Sequence, residues 1–333
     1  MTREYCTLFD GNYLFKAVAM ARSLERHCPD HRLTCFCFDD DAQRLIDALG
    51  LPRVQTVSLE QLEAHDPAFH STKGDRSPVE YCWTATPALP LYCFESRPDL
   101  QEVTYLDADL MFFADPEPLF EEMGSESVLI TPHRFSREYA HHAISGIYNV
   151  QFLTFRNDER GMKVLRWWHD RCIEWCYDKL EDGKLGDQAY LNDWPERFEG
   201  VHVLQHKGGG LAPWNITQYH VRERDGRVWV DDDELVFFHY HRVRLVEGGR
   251  HQWQPPGYWI SPHNRRLIYS PYEAALDAAI AEVRALEPAY ARGIEQPPPV
   301  RHRARDAYLR AAAGLLRRAP WLARLRHPRS RAA

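Results

Sequence analysis

The alternation of apolar and polar positions predicts strands and helices in turn along the first half of the chain. Apolar runs of strand length stand at "YCTLFD", "RLTCFCFD" and "VQTVSL", and helix-period segments, "YLFKAVAMARSLERH" and "DAQRLIDALG", separate them. This order places parallel strands in one sheet with crossover helices on its faces. We therefore predict an α/β fold in which the carboxyl ends of the strands, where ligands bind in open sheets, share one edge.

The pattern changes in the second half of the chain. The segment "EYCWTATPALPLYCFE" predicts a helix that is kinked or restarted at Pro87 and Pro90, and it precedes the apolar stretch "VTYLDADLMFFA". From about residue 125, "SVLITP" and "YNVQFLTFR" predict strands, and "ERGMKVLRWWHDRCIEWCYDKL" predicts one long amphipathic helix. Its core face is expected to include Trp167, Trp168, Cys172, Trp175 and Cys176. Further on, "YHVRERDGRVWV" predicts a hairpin that turns at Asp225-Gly226 and leads to "LVFFHYHRVRL".

Two aspartates interrupt the apolar stretch "TYLDADLMFF" and require a partner. Asp107 and Asp109 have the spacing that puts both side chains on one face of a strand. A buried carboxylate without compensation is costly, so the pair should stand where the strand ends. Two carboxylates at a strand end suit a hard divalent cation such as Mg²⁺ or Mn²⁺. The alternative is an exposed strand end at which they only cap the next turn.

Composition limits the class of protein. With 333 residues, 44% of them hydrophobic, the chain can bury a large core, and its net charge of −7 argues against nucleic-acid binding. The eight cysteines lack paired metal-site spacing and are expected to be reduced. No apolar run approaches the roughly 20 residues of a membrane span, and no secretion signal is apparent at the first residues. A cytoplasmic location is therefore expected.

The charge is concentrated at the end of the chain. Residues 301–331 contain ten arginines and one acidic residue, with leucines and Trp321 among them. This composition is typical of a basic amphipathic helix that lies on an anionic membrane surface, and it is also compatible with a solvated tail that binds nothing specific. The preceding "EQPPPV", residues 295–300, predicts an extended linker.

Five motifs occur in an order that is more specific than any one of them. They are "TLFDGNYLFKAVAMARSL", the D-x-D at 107–109, "YNVQFLTF", "GDQAYLND" and "FFHYH". This set, over about residues 4–245, resembles the family-8 retaining glycosyltransferases of the GT-A fold and their bacterial relatives. The resemblance implies a Rossmann-like nucleotide-diphospho-sugar transferase fold with a mixed central sheet over residues 1–294. Residues 1–124 would be the nucleotide-binding half, residues 125–294 the sugar and acceptor half, and residues 301–333 a basic helical tail.

The resemblance also implies a role for individual residues. Mn²⁺ or Mg²⁺ would be held by Asp107, Asp109 and His239, with Asp107 shared between metal and ribose. Asp187 would hold hydroxyls of the donor sugar, unless it only caps the helix-like segment after it. Gln188 would lie near the anomeric carbon, and because an amide is a poor nucleophile, it fits front-side displacement with retention. The remaining contacts to the nucleotide-sugar would come from Phe9, Asp10, Asn12, Tyr13, Lys73, Asn149 and His241.

The activity implied is metal-dependent transfer of a sugar from a UDP-sugar to a glycan or lipid-linked acceptor that serves the cell surface. Tyr139, His141 and His142 are candidates for the acceptor side, although a plain loop also accounts for them. Two other functions fit parts of the sequence. One is a phosphohydrolase of the haloacid dehalogenase type, which places its D-x-D on the first strand, and the other is a catalytically silent nucleotide-binding protein.

The chain departs from the family pattern at two positions. The family carries a lysine that closes on the phosphates after its histidine, and here Arg242 or Arg244 would have to replace it. Gln151 stands where a glycine is typical, which puts the acceptor or sugar preference in doubt. The glycine-rich "HKGGGLAPWN" at 206–215 could bring backbone amides to a ligand or could be an ordinary long loop.

Overall fold

The computed structural model describes residues 2–248, 250–252, 257–296 and Tyr308. The strands of this part of the chain are β1 (Arg3–Phe9), β2 (His31–Cys37), β3 (Val54–Ser58), β4 (Glu102–Leu106), β5 (Leu110–Phe112), β6 (Val128–Pro132), β7 (Tyr148–Arg156), β8 (Val201–Val203), β9 (Val221–Arg224), β10 (Arg227–Val230), β11 (Asp233–Glu234), β12 (Phe237–His239), β13 (Arg244–Val246), β14 (Arg250–Gln252) and β15 (Ile294–Glu295).

The helices are α1 (Leu14–His27), α2 (Asp40–Leu49), α3 (Leu59–His65), α4 (Pro67–Ser71), α5 (Pro78–Ala85), α6 (Ala88–Ser96), α7 (Glu117–Met123), α8 (Glu159–Glu174), α9 (Trp194–Arg197), α10 (Pro262–Asn264) and α11 (Ser270–Leu286). Short 3₁₀ segments occupy Arg137–Ser145, Ala189–Asp193 and Ile216–Gln218, and a π-helical turn, Arg265–Tyr269, joins α10 to α11. Within the described residues, no helix is long and apolar enough to cross a membrane.

A seven-stranded sheet in the order β3-β2-β1-β4-β7-β6-β8 forms the centre of the molecule. Strands β3, β2, β1 and β4 run parallel, whereas β7 is antiparallel to both β4 and β6. The predicted α/β fold with a mixed sheet is therefore confirmed. Neighbouring residues of β1 enter opposite layers of the core, since Tyr5 packs with α1, α2 and α11 and Cys6 with α5, α6 and α8.

The strand–helix boundaries follow from local chemistry. Asp39, directly after β2, accepts a hydrogen bond from the Ala42 amide (2.9 Å) and so caps α2. Gly50 ends the same helix in the left-handed conformation, which glycine adopts at little cost. The kinked segment predicted at Pro87 is two helices, α5 and α6, because proline breaks the hydrogen-bond ladder between them.

Two boundaries differ from the sequence prediction. The long helix predicted to run through residue 180 ends at Glu174, because Trp175 is extended and Cys176 turns into the core instead. Strand β4 ends at Leu106, so Asp107 and Asp109 lie in a tight turn before β5 and not along one strand face. All eight cysteines are free, and the hairpin at Asp225-Gly226 joins β9 to β10, as predicted.

The described end of the chain returns to the start of the first helix. Helix α11 packs on α1, and the Tyr290 hydroxyl beyond it donates to the carbonyl of Gly11 (2.7 Å). Gly293 lies so close that a Cβ there would stand 2.1 Å from the carbonyl oxygen of Asn12, and its φ is +77°. Glycine is therefore required at this approach.

The predicted linker at 295–300 begins inside the fold. Glu295, its first residue, belongs to β15 and pairs with Val246 of β13. Residues 297–307 and 309–333 lie outside the described part of the chain, and with them most of the basic tail. The membrane contact of residues 301–331 accordingly stays a prediction.

Candidate active site

Asp107, Asp109 and His239 converge at the carboxyl end of β4. Strand β12 pairs antiparallel with β5 and sets His239 opposite Leu110, next to the aspartate turn. The His239 Nε2 atom lies 3.1 Å from Asp109 Oδ1 and 3.7 Å from Asp107 Oδ2. Neighbouring ligands of an octahedral ion held at about 2.1 Å are about 3.0 Å apart, close to these separations. The three side chains therefore have the arrangement of a metal-binding triad.

Gln151 orients the imidazole of the triad. His239 Nδ1 donates a hydrogen bond to Gln151 Oε1 (2.6 Å), which leaves the Nε2 lone pair of the neutral ring directed at both carboxylates. A lone pair facing two carboxylates is repulsive, so a cation must lie between them. That cation is either a proton, which makes His239 an imidazolium, or a metal ion. Gln151, whose departure from the family pattern had put acceptor or sugar preference in doubt, thus contacts the metal-binding triad through His239.

Replacing Gln151 with leucine tests this support. Leucine fills nearly the same volume but cannot accept the proton of Nδ1, so the imidazole loses its fixed orientation. We expect the affinity for Mn²⁺ to fall about 10- to 100-fold, as is usual when a hydrogen-bond partner of a metal ligand is removed. The measurement is a calorimetric Mn²⁺ titration, with Gln218→Leu as the matched control. An unchanged affinity in Gln151→Leu would mean that the hydrogen bond from His239 to Gln151 does not support metal binding.

Burial and mutual attraction shift the pKa values of the triad. Burial raises the pKa of Asp107 to about 6, against the attraction of His239. Burial acts in the same direction on Asp109, but the charge and hydrogen bond of His239, with Lys16 and His241 nearby, hold the pKa of Asp109 well below its usual range. For His239, burial is outweighed by Asp109 and Asp107, so its pKa is raised. Without a metal ion, the Nε2 atom of His239 therefore carries a proton and donates it in a hydrogen bond to the ionised Asp109.

A chain of hydrogen bonds connects the triad to Gln188. The backbone N–H of Gln151 donates to Asn149 Oδ1 (2.8 Å), which fixes the orientation of the Asn149 amide. Asn149 Nδ2 donates to Gln188 Oε1 (2.9 Å) and also lies 3.0 Å from His133 Nε2. Gln188 Nε2 in turn donates to the carbonyl of Ser145 (2.7 Å). The predicted catalytic amide is thus held from both ends.

Asp187 is a buried carboxyl with one unpartnered oxygen. Its Oδ2 atom is buried and makes no hydrogen bond with any described residue. Burial raises the pKa of Asp187 to about 7, with Thr86 opposing and Asp107 adding to the rise. The 3₁₀ segment at Ala189–Asp193 has no side-chain cap, so helix capping does not account for Asp187. An orphaned polar atom of this kind, close to the metal-binding triad, points to a ligand hydroxyl.

The first strand ends in a polar turn beside the triad. Asp10 accepts hydrogen bonds from the amides of Asn12 (3.0 Å) and Tyr13 (3.2 Å), and Asn12 and Tyr13 are exposed. Asp39 accepts from the Gly11 amide (2.9 Å), so the ends of β1 and β2 are joined. Phe9, by contrast, is buried in the core and its carbonyl is used by Phe38. Of the predicted nucleotide contacts, Asp10, Asn12 and Tyr13 therefore lie in a turn at the edge of the sheet, whereas the Phe9 side chain lies in the core.

Lys73 lies in an ion pair rather than in the polar turn or the triad. Its Nζ atom is 2.6 Å from Glu63 Oε1, and the Tyr81 hydroxyl donates to the same oxygen. Arg76 behaves similarly, because it pairs with Asp75 and stacks on Tyr177. The structure therefore does not bring Lys73 to the triad.

The glycine-rich segment supports the histidine instead of forming an open loop. The carbonyl of Leu211 accepts from the His239 amide (2.9 Å), and Gly210 lies against Thr131 and Gln151. Trp214, from the same segment, packs edge-on against the rings of His239 and His241. His241 follows the end of β12, and its ring centroid is 5.8 Å from that of His239. Burial and His239 lower the pKa of His241 to about 3, so this ring is neutral.

His133 and Lys16 are site residues that sequence reasoning missed. Burial, with His239 and His241 nearby, lowers the pKa of His133 to about 3, so it is a neutral acceptor for the Asn149 amide. Lys16 lies in α1 among apolar neighbours, and its ammonium affects the pKa of Asp109. Lys16 could have been noticed as a lysine inside the apolar run "LFKAVAMA". His133, in "TPHRF", has no feature in the sequence that marks it as a site residue.

The acceptor-side candidates form a short 3₁₀ segment, not a plain loop. Tyr139 is buried, and its hydroxyl accepts from the Trp259 amide (2.9 Å). His142 is half-buried and His141 is exposed. Because Ser145 of this segment accepts the hydrogen bond of Gln188, the segment lies next to the predicted catalytic amide.

No protein-family model matches the chain. Among curated proteins, it is 32% identical over 298 residues to the uncharacterized protein YfnD of Bacillus subtilis (strain 168), covering 88% of this chain and 94% of YfnD. It is 34% identical over 254 residues to the uncharacterized protein YfnF of the same organism, covering 74% of this chain and 83% of YfnF.

Solved structures show which fold the chain adopts. The galactosyltransferase LgtC in complex with donor and acceptor sugar analogs matches with a TM-score of 0.52 at 15% identity, covering 91% of this chain and 99% of that one. An active-site mutant of LgtC matches with a TM-score of 0.52 at 14% identity, covering 83% of this chain and 95% of that one. At such identities the likeness shows the fold alone.

Proposed function

Because this chain belongs to the same family as YfnD and YfnF and has the fold of the GT-A glycosyltransferases, we propose that it is a metal-dependent sugar transferase. The donor is a UDP-sugar, the acceptor is a glycan or lipid-linked precursor of a cell-surface polymer, and the anomeric configuration is retained. The observation that carries the proposal is the convergence of Asp107, Asp109 and His239 at the sheet edge, beside the buried Asp187 and the clamped Gln188.

The polar turn after β1 receives the nucleotide. Asn12 and Tyr13 present exposed side chains on a turn that Asp10 and Asp39 hold rigidly, so the base and ribose can bind without reordering the backbone. Asp107, a member of the triad, would direct one oxygen to the ribose and the other to the metal. The Tyr105 hydroxyl donates to Asp107 Oδ1 (2.9 Å) and limits its rotation.

The triad suits Mn²⁺ or Mg²⁺, since it supplies two carboxylates and one imidazole with open positions for phosphate oxygens. When bound, the ion offsets the negative charge that develops on the departing diphosphate. Gln151 keeps Nε2 of His239 turned to this position, and Asp109 stays ionised because its pKa is low.

Asp187 and Gln188 act on the donor sugar. The Oδ2 atom of Asp187, which makes no hydrogen bond with a described residue, accepts one from a sugar hydroxyl. Asn149 and Ser145 hold the Gln188 amide near the anomeric carbon. An amide there stabilises positive charge on the sugar without forming a covalent intermediate, which supports front-side attack by the acceptor and retention. The segment Arg137–Ser145, adjacent to Gln188, would contact the acceptor.

The decisive test is a calorimetric titration of UDP with and without Mn²⁺, followed by a donor-hydrolysis assay with a panel of UDP-sugars. We expect UDP to bind in the presence of Mn²⁺ and more weakly in its absence, and one donor to be hydrolysed to UDP and sugar. Binding of UDP that Mn²⁺ does not strengthen would contradict the proposal.

The same assays separate the two other functions. A silent nucleotide-binding protein would bind UDP but hydrolyse no donor. A phosphohydrolase would release inorganic phosphate from phosphate esters and would not distinguish UDP-sugars. The position of the D-x-D after the fourth strand, and not the first, already argues against the phosphohydrolase.

A further inference from the structure

Lys16 is a buried lysine next to the metal-binding triad. It is only 7% exposed and lies in the first turns of α1 between the buried residues Phe15 and Ala17. Its Nζ atom is 4.1 Å from the centre of the Tyr13 ring. Within the described part of the chain, Lys16 has no carboxylate within ion-pair distance. An ammonium that is buried without a paired anion is costly, so the charge calls for an explanation beyond packing.

Lys16 lies within electrostatic reach of the triad. Burial lowers the pKa of Lys16, whereas Asp109 and Glu295 raise it and Arg244 lowers it. The ammonium in turn lowers the pKa values of Asp109 and His239. Glu295 is itself paired with Arg244, at 3.3 Å, so it is not free to neutralise Lys16. Lys16 is thus a buried cation that contacts the Tyr13 ring of the polar turn and interacts electrostatically with Asp109 of the triad.

The two arginines expected to contact the phosphates are less well placed. The Arg244 side chain is 48% exposed and engaged with Glu295. Arg242 is exposed, and the groups whose pKa values it affects are His241, His142 and Tyr258, not the carboxylates of the triad. Neither arginine is buried beside Asp109, as Lys16 is.

A count of charges shows what Lys16 would add. A divalent ion cancels the two carboxylates of Asp107 and Asp109, and His239 is neutral when its Nε2 binds the ion. Among these four side chains and the ion, Lys16 then leaves one net positive charge, and its side chain is buried. An anion is required to balance it, and a diphosphate bound to the same ion would be within reach.

We propose that Lys16 binds the diphosphate of the nucleotide, in the role for which the sequence had suggested Arg242 or Arg244. This inference rests on the proposed function. Tyr13, whose side chain covers Lys16, is 43% exposed, so a nucleotide in contact with Tyr13 lies directly beside the ammonium. A lysine in this position supplies a point charge to oxygens of either phosphate and does not demand bidentate geometry.

The experiment compares Lys16→Met with the wild-type chain by calorimetric titration of three probes. The probes are UDP in the presence of Mn²⁺, uridine, and Mn²⁺ alone. Methionine keeps the length of the apolar stem and removes the charge, so folding should be preserved, which thermal unfolding checks. Lys163→Met, at an exposed lysine of α8 that belongs to no proposed site, is the matched control.

We expect Lys16→Met to weaken UDP binding about 10- to 100-fold, the usual worth of a charged hydrogen bond. Uridine binding should stay unchanged, and Mn²⁺ alone should bind as tightly or more tightly, because a neighbouring positive charge has been removed. A general packing defect would instead weaken the binding of all three probes. Lys163→Met should change the binding of none of them.

Two outcomes would overturn the inference. One is that Lys16→Met binds UDP as well as the wild type, and the other is that UDP and uridine weaken equally. A wild-type chain that does not bind UDP in the presence of Mn²⁺ would instead contradict the proposed function itself, and this inference with it. The wild-type titration therefore separates the two failures.

Discussion

Asp109→Asn is expected to abolish the Mn²⁺-dependent part of UDP binding and to reduce sugar transfer about 1000-fold. Asparagine keeps the shape of the side chain but removes the charge that attracts a divalent ion, and an amide oxygen is a much weaker ligand than a carboxylate. Metal assistance is worth several kcal/mol of transition-state stabilisation, and each ~1.4 kcal/mol is tenfold in rate. The measurements are UDP titration with and without Mn²⁺ and initial rates with the donor identified by the hydrolysis panel.

The matched control for this variant is Asp115→Asn. Asp115 is an exposed aspartate six positions further on, where it accepts a hydrogen bond from the Glu117 amide. It should leave metal and nucleotide binding unchanged. In Asp109→Asn the pKa of His239 should also fall, because Asp109 is its strongest favourable partner, and NMR titration of the ring follows this directly. Undiminished Mn²⁺-dependent binding in Asp109→Asn would remove this residue from the metal site.

The largest loss of stability is expected for Trp168→Ala. Trp168 is fully buried, its ring lies 6.1 Å from Phe155 and 5.5 Å from Trp194, and its indole N–H donates to the carbonyl of Asp187 (2.9 Å). Truncation leaves a large cavity and an unpaired carbonyl, so the free energy of unfolding should fall by about 3–5 kcal/mol. Urea unfolding followed by far-UV circular dichroism measures the change.

The neighbouring Trp167 provides the comparison. It is partly buried and packs edge-on against Tyr190 and Phe198 at the margin of the same core. Trp167→Ala should therefore cost clearly less than Trp168→Ala. Equal losses in the free energy of unfolding would show that the two rings contribute alike, which would contradict the deeper burial of Trp168.

Trp168 also holds the backbone of Asp187 through its indole N–H. Trp168→Phe removes this hydrogen bond but keeps most of the volume. We therefore expect it to reduce the free energy of donor binding more than the free energy of unfolding.

The sheet and the order of the site residues could be predicted because they follow from local signals. Strand–helix alternation indicated parallel strands whose carboxyl ends share one edge, and Asp10, Asp39 and the Asp107–Asp109 turn closely follow three of these strands. The spacing of that turn was misleading in one respect. A spacing of two is also compatible with a turn, and β4 ends one residue before Asp107.

The supporting contacts could not be predicted, because they join residues that are far apart in the sequence. Gln151 and His239 are 88 positions apart, and nothing in either segment indicates that one side chain will fix the other. His133 meets Asn149 only because β6 and β7 pair antiparallel, with an irregular register between them. The early end of α8 has the same origin, since Cys176 is more stable in the core than on a continued helix.

The close approach of Gly293 to Asn12 determines where the basic tail is attached. Because the last described strand, β15, follows Gly293 directly, the chain continues into the tail from a point beside the polar turn, where we propose that the nucleotide binds. Even fully extended, the five residues from Gln296 to Arg301 span at most about 18 Å. A surface or acceptor bound by residues 301–331 would thereby be kept at a high effective concentration next to the proposed nucleotide site, with no need for a second recognition site on the folded domain.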